Sequence, residues 1–319
     1  MAERVKVGVI GVGYLGRHHA RLYAELPEAE LVGVADVEAG RAREVAAATG
    51  ARAFTDYREL LPHVNAVSVV VPTSLHHDVT AACLAAGLDV LLEKPMTVTL
   101  DEADRLIALA ESKQRIIQIG HLERFNGAVR ALVARLVAPR FIESHRLGPF
   151  VGRGTDVHVI LDLMIHDLDI ILSLVRSPIT EIRAVGVPVL TPNIDIANTR
   201  LEFADGCVAN ITASRVSKDP MRKLRIFQPD AYFSLDYQKQ EVVMARRVDA
   251  PTAPGLPPIE VQTLEIEKEE PLKMQLAAFL DCVATRQPPL VSGREGREAL
   301  RVALDVLKCI EGQEKGKRC

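Results

Sequence analysis

The first part of the chain, through about residue 120, alternates short, almost uninterrupted apolar runs with stretches of helical periodicity, and few folds accommodate that pattern. The runs are Val5–Ile10, Leu31–Ala35, Ala66–Val71, Leu88–Leu92 and Ile116–Ile119; helical spacing covers Leu15–Leu26, Gly40–Thr49, His76–Ala86 and Leu100–Ser112. A strand apolar on both faces has to be covered on both, so the pattern predicts a parallel sheet flanked by helices, a doubly wound α/β domain.

The texture then changes. Helices are expected over Asn126–Val137 and Val157–Val175, followed by alternating, strand-like stretches at Glu181–Leu190, Asn198–Phe203, Cys207–Ser214, Lys223–Phe227, Tyr232–Tyr237 and Glu241–Arg246. Asp205-Gly206 between two of them is a hairpin signal. The four prolines and one glycine of 251–258 mark a loop, and helices near Leu272–Thr285 and Glu295–Glu311 close the chain. The expected organisation is a Rossmann domain over 1–121 and, over 122–319, an α/β domain on an open, mostly antiparallel sheet.

Length and charge exclude several functions. A chain of 319 residues suits two domains, and 25 % charged residues with a net charge of −3 lack the global basicity of a nucleic-acid binder. Trp is absent and aromatics are 4 %, leaving few stacking platforms for bases. Five cysteines without a Cys-x-x-Cys pair argue for a reducing compartment, and no apolar run reaches a membrane span, so a cytoplasmic location is expected. The basic tail Lys315-Gly316-Lys317-Arg318-Cys319 lacks the spacing of a prenylation box.

Gly11-Val12-Gly13-Tyr14-Leu15-Gly16 leaves the first strand and opens the first helix. In that context Gly11 allows a tight turn, Gly13 lets backbone approach a pyrophosphate, and Gly16 lets helix pack on strand. A glycine turn without a ligand is the alternative. Asp36 ends the second strand about 20 residues on, where a carboxylate accepts ribose hydroxyls and repels a 2′-phosphate, which favours NAD over NADP. Arg41 and Arg43 are expected to face solvent. Pro72, Thr73 and His76, at another strand's carboxyl end, suggest a wall for the nicotinamide half, with a core or capping histidine as the other reading of His76.

Glu93-Lys94-Pro95 follows the apolar run Leu88–Leu92. A parallel strand opens at its carboxyl end onto the ligand crevice, so Lys94 is placed over chemistry beside the nicotinamide. Glu93 is placed there too, capping or bracing the turn, and a cis Lys94–Pro95 bond is expected. In the nearly apolar segment Val159–Val175, Asp162, His166, Asp169 and Ser173 fall at helical spacing and form one seam, read as facing a cleft rather than solvent. Asp162 and His166 alone do not make a metal site, and no metal is expected.

The glycine fingerprint, Glu93-Lys94-Pro95 and Asp162-x-x-x-His166, in this order, resemble the Gfo/Idh/MocA family of sugar and cyclitol dehydrogenases over essentially the whole chain. The resemblance implies that Lys94, Asp162 and His166 line the active site, and that the open sheet builds a homodimer or homotetramer. Gly120-His121-Leu122-Glu123-Arg124-Phe125-Asn126 and the stretch Phe141–Phe150 are similar to the branch acting on UDP-N-acetylglucosamine in 3-amino sugar synthesis for lipid A, with Gly127 standing where proline is expected.

The chemistry implied is NAD-dependent oxidation of a secondary hydroxyl, C3 of the UDP-sugar, to a ketone. His166 is the expected general base, with an ordinary pKa near neutrality. Asp162 orients it and Lys94 stabilises alkoxide character; the reverse assignment makes Lys94 the base. Arg124 and Arg146, with Arg153 nearby, are the expected partners of the substrate diphosphate, while Arg215, Lys218, Arg222, Lys223 and Arg225 read as a solvated strand edge. The alternatives are the same chemistry on another nucleotide sugar, a free sugar or a cyclitol, and a non-catalytic dinucleotide-binding regulator.

Overall fold

The computed structural model describes residues 4–152, 157–249 and 258–314. Arg153, Gly154, the prolines before Pro258 and the basic tail therefore lie outside the described residues. Two compact units divide the chain.

The first unit runs to Leu122 and takes in Glu270–Leu300. Its elements are β1 (Val5–Ile10), α1 (Gly16–Glu25), β2 (Ala29–Ala35), α2 (Ala39–Thr49), β3 (Arg52–Phe54), β4 (Ala66–Val69), α3 (His76–Ala85), β5 (Asp89–Leu92), α4 (Leu100–Ser112) and β6 (Ile117–Ile119). The sheet is wholly parallel in the order β3-β2-β1-β4-β5-β6. The winding direction reverses between β1 and β4, which puts the glycine turn after β1 at the switch point where such sheets bind ligands. Val7, Val9, Val34, Val67, Val69, Val90 and Leu91 are buried, as strands covered on both faces require. β3 escapes sequence reading because only Phe54 of its three residues is buried, which leaves no apolar run.

A correction concerns α7 (Pro271–Thr285). The sequence division assigns it to the second domain, but Leu272, Leu276, Phe279 and Leu280 pack with Val7, Val9, Leu22 and Tyr23 in the core of the first unit. An amphipathic helix announces that it covers something, not which sheet. The last helix, α8 (Gly293–Glu314), starts in the first unit and from Arg301 counts with the second.

The second unit holds α5 (Gly127–Val133), β7 (Phe141–Leu147), a π-helical turn at Ile160–Met164 running into α6 (Ile165–Leu174), then β8 (Ile179–Val187), β9 (Ile196–Phe203), β10 (Val208–Ser214), β11 (Met221–Gln228), β12 (Ala231–Asp236), β13 (Glu241–Arg247) and β14 (Ile259–Thr263). Its eight strands lie in the order β14-β13-β12-β11-β7-β10-β9-β8. Only β7 and β10 are parallel; the other pairs are antiparallel. Gly206 closes the β9–β10 hairpin at φ +83°, and the Cys207 N–H donates to Asp205 Oδ1 (3.0 Å). Besides the short edge strand β14, β7 in mid-sheet is a strand the sequence does not announce, because its buried positions are Ile142, Ser144 and Arg146. Two polar residues on the inner face erase the apolar alternation.

Candidate functional site

In the first unit the turn after β1 is shaped by its glycines. Gly11 sits at φ +86°, and a Cβ there would lie 2.5 Å from the Val70 carbonyl oxygen. At Gly16 a Cβ would lie 1.8 Å from the Gly11 oxygen, whereas around Gly13 nothing stands within 4 Å. The tight positions make the turn and the open one leaves room for a ligand to meet backbone. Leu15 packs against the core cluster and Tyr14 is 60 % exposed at the mouth.

Asp36 is buried at the end of β2, its Oδ2 accepting from the Val12 N–H (3.0 Å) and Oδ1 from the Glu38 N–H (2.9 Å). Arg41 keeps 39 % of its side chain exposed, and it also pairs with carboxylates. It folds back with Nη1 3.2 Å from each Asp36 oxygen and Nη2 2.8 Å from Glu38, and the hydrogen bond with Asp36 raises its pKa. A cleft of about 330 Å³ lined by Val12, Gly13, Tyr14, Arg17 and Arg41 opens beside this turn. The open Gly13 and the fixed carboxylate at a strand end fit a dinucleotide.

Pro72 and Thr73 stand on an accessible turn past β4, but His76 is 1 % exposed. Its ring bridges two backbone oxygens, Nδ1 at 2.8 Å from Pro95 O and Nε2 at 3.0 Å from Val71 O, so it braces the crevice rather than walling it. Burial lowers its pKa, against the opposing pull of those carbonyls and of Glu93. Lys94, half-buried, leaves the carboxyl end of β5, and the Lys94–Pro95 bond is cis. Glu93 turns inward: Oε1 lies 3.3 Å from Nε2 of the buried His19 on α1, and Oε2 accepts from the Lys94 N–H (3.3 Å). A Cβ at Gly120 would lie 2.7 Å from Glu93 Oε1, so a side chain there would have to displace that carboxylate. Nothing in the sequence singled out His19; it lies three residues past the last fingerprint glycine, on the face of α1 that the sheet covers.

In the second unit Asp162 lies inside the π-helical turn and His166 in the first turn of α6, both half-buried. Wider turns of this kind recur at functional sites. Two other residues of the seam expected in this segment have partners of their own. Ser173 donates to Ile170 O, and Asp169, 3 % exposed, faces Arg124 at 3.5 Å.

Arg146 is likewise not available to a diphosphate. Its guanidinium is 4 % exposed, with Nε 2.7 Å from Asp167 Oδ2, Nη2 3.3 Å from Oδ1, Nη1 3.1 Å from Glu123 and the Tyr237 ring centroid 5.1 Å away. Burial opposes its charge, but Asp167 and Glu123 outweigh that and raise its pKa above the ordinary arginine value. Ser144 donates to Asp167 (2.8 Å), and the Asn126 amide donates to Glu123 (3.2 Å) and Tyr237 O (3.1 Å). Asp167 and Glu123 are the partners that spacing did not reveal. Among the described residues no group of three His, Cys, Asp or Glu is placed to share a metal ion.

A parallel sheet with a glycine turn and a carboxylate at its switch point, joined to a second unit on an open sheet, defines a dinucleotide-binding oxidoreductase. Residues 5–121 match the family model described as "Oxidoreductase family, NAD-binding Rossmann fold", and residues 125–232 match the "GFO/IDH/MocA C-terminal domain". The chain belongs to the Gfo/Idh/MocA family. It is similar to the UDP-N-acetylglucosamine 3-dehydrogenase of Acidithiobacillus ferrooxidans, 41 % identical over 96 % of this chain and 97 % of that one. The crystal structure of that relative superposes with a TM-score of 0.92 over 97 % of this chain and 98 % of the other. The scyllo-inositol 2-dehydrogenase of Bacillus subtilis is 27 % identical over 95 % of this chain and 93 % of its own. Levoglucosan dehydrogenase in complex with NADH, 17 % identical, shares the fold at a TM-score of 0.85 over 97 % of both chains.

Proposed function

We propose that the protein oxidises C3 of UDP-N-acetylglucosamine to the 3-keto sugar with NAD. The observation that carries this reading is the near-full-length identity of 41 % with an enzyme named for that reaction. The Lys94, Asp162 and His166 set disfavours a silent dinucleotide-binding regulator. NAD, when bound, accepts the hydride from the carbinol carbon; the protein's task is to hold that carbon and take the hydroxyl proton. Gly11, Gly13, Gly16 and Asp36 would hold the dinucleotide, with Tyr14, Pro72 and Thr73 beside it.

In the reaction the C–H electron pair leaves as hydride, the O–H proton passes to His166, and a carbonyl forms. His166 is assigned as base because an imidazole exchanges its proton near neutral pH. Asp162 orients that ring and Lys94 stabilises the developing alkoxide. Arg124, its side chain 13 % exposed and 3.5 Å from the Asp169 carboxylate, is the arginine left to meet the diphosphate. Arg146 is left out because its charge is already buried against carboxylates.

NAD is proposed over NADP because Asp36 stands where a 2′-phosphate would meet negative charge. A cytoplasmic location is proposed, where NAD and nucleotide sugars are available. A homodimer or homotetramer through the second unit's sheet is also proposed, supported by outward side chains such as Phe141, Glu143, Phe227 and Tyr232 that form aromatic and charged rows.

The test is incubation with NAD and a panel of UDP-N-acetylglucosamine, other nucleotide sugars, free sugars and inositols, with a carbonyl trap, reading NADH. Reduction with the UDP-sugar is expected. NADH formed only with free sugars or cyclitols would replace the substrate, and none with any would favour the regulator.

A further inference from the structure

His76 occupies the first position of α3, and its ring lies between the carboxyl ends of two neighbouring strands, touching Val71 O past β4 and Pro95 O past β5. We propose that His76 is a positioning residue for Lys94, fixing the turn from which that side chain projects. The proposal rests on Lys94 acting in the reaction proposed above.

The Glu93 N–H ties the start of the turn to Val69 O (3.1 Å). Beyond it, the Lys94 N–H donates to its neighbour's carboxylate at 3.3 Å, and Thr97 Oγ1 bonds forward to Thr99 O (2.7 Å). Pro95 has no N–H to donate. The Lys94 and Thr97 contacts are local. His76 brings a donor from a different element, and its 2.8 Å contact is the shorter of the ring's two. A neutral imidazole carries one N–H, so it donates to one carbonyl and turns a lone pair toward the other. Placing the proton on Nδ1 secures Pro95 and leaves the longer contact, to Val71, as the weaker one. Burial and the helix N-terminus oppose a charge on the ring, while Glu93 is the charged group that favours it.

A displacement of the lysine by a fraction of an ångström matters because reactive geometry is steep in distance. Three variants separate positioning from packing: His76→Phe keeps volume without a donor, His76→Asn has a donor on a shorter arm, and His76→Gln carries an amide that reaches further. The readouts are kcat, KM for the sugar, Kd for NAD, melting temperature, and the acylation rate of Lys94 followed by peptide mapping. We expect His76→Phe and His76→Asn to lower kcat by about 30-fold and to change Lys94 acylation by at least about threefold, with Kd for NAD within about threefold of wild type. His76→Gln is expected to recover to within about fivefold. Folded Phe or Asn variants turning over within about twofold of wild type, with unaltered acylation, would overturn the proposal. So would equal losses in all three variants with unaltered acylation, since that is what packing alone produces. If Phe does not fold, the Asn and Gln pair decides. The acylation arm needs no sugar, so a wild-type protein inactive on every substrate strikes the proposed reaction and still leaves the His76 question answered.

Discussion

Asp195 is wholly buried, and its carboxylate accepts N–H groups from Val189 (2.9 Å), Leu190 (2.7 Å) and Thr191 (2.9 Å) and the Thr191 hydroxyl (2.8 Å). Burial alone would raise its pKa, but these donors outweigh it and hold the value down at about 2. A depressed carboxyl stabilises the fold above its unfolded pKa near 3.8 and loses that contribution as pH falls toward 2. Asp195→Ala should therefore cost about 3 kcal/mol in chemical denaturation at neutral pH and flatten the acid limb between those values. His76 acts in the opposite pH range. Its lowered pKa means that the unfolded chain binds the extra proton first, so stability should rise with pH up to the ordinary histidine value of 6.5, a slope that His76→Phe should remove. Asp36→Ala should weaken NAD binding by about tenfold in a fluorescence titration and narrow the preference over NADP, since Arg41 would then be released from the carboxylate it faces. At this scale the sequence was informative about Gly11 and Gly16, whose type local backbone geometry dictates, and about the strand-end positions of Asp36 and Lys94. It was misleading about Arg146, because a buried arginine and a ligand-binding arginine differ only in neighbours 21 or more positions away.

Among the elements, helix α4 shows how the chain writes its own starts. Thr99 Oγ1 accepts from the Glu102 N–H (3.3 Å) while Glu102 Oε2 accepts from the Thr99 N–H (3.0 Å), a reciprocal cap just past the Lys94 turn. Thr99→Ala should cost about 1 kcal/mol in unfolding experiments. Elements with a clean period, such as β1 and α4, were legible to within a residue. The π-helical turn at Ile160–Met164 was not, since its hydrogen-bond register leaves no mark on the apolar pattern. β7 was hidden for a different reason: Ser144 and Arg146, which hold Asp167, occupy its inner face and break the apolar alternation.

For the whole molecule, the second unit's sheet presents an outer face on which Phe141, Phe227 and Tyr232 stack at centroid spacings of 5.6 and 4.9 Å and Arg225 meets Glu143 at 3.6 Å. If this face joins copies of the chain, Phe227→Asp combined with Arg225→Glu should shift the mass in light scattering toward the monomer without changing the melting profile of the first unit. An unchanged mass would place the interface elsewhere. The membership of α7 in the first unit has a consequence for how the protein is made. Leu272, Leu276 and Phe279 complete a core begun by Val7 and Val9, so the cofactor domain cannot close when its own strands leave the ribosome. It must wait while about 150 further residues are synthesised, roughly 7–30 s at the usual pace of translation. During that interval the nascent sheet exposes one apolar face.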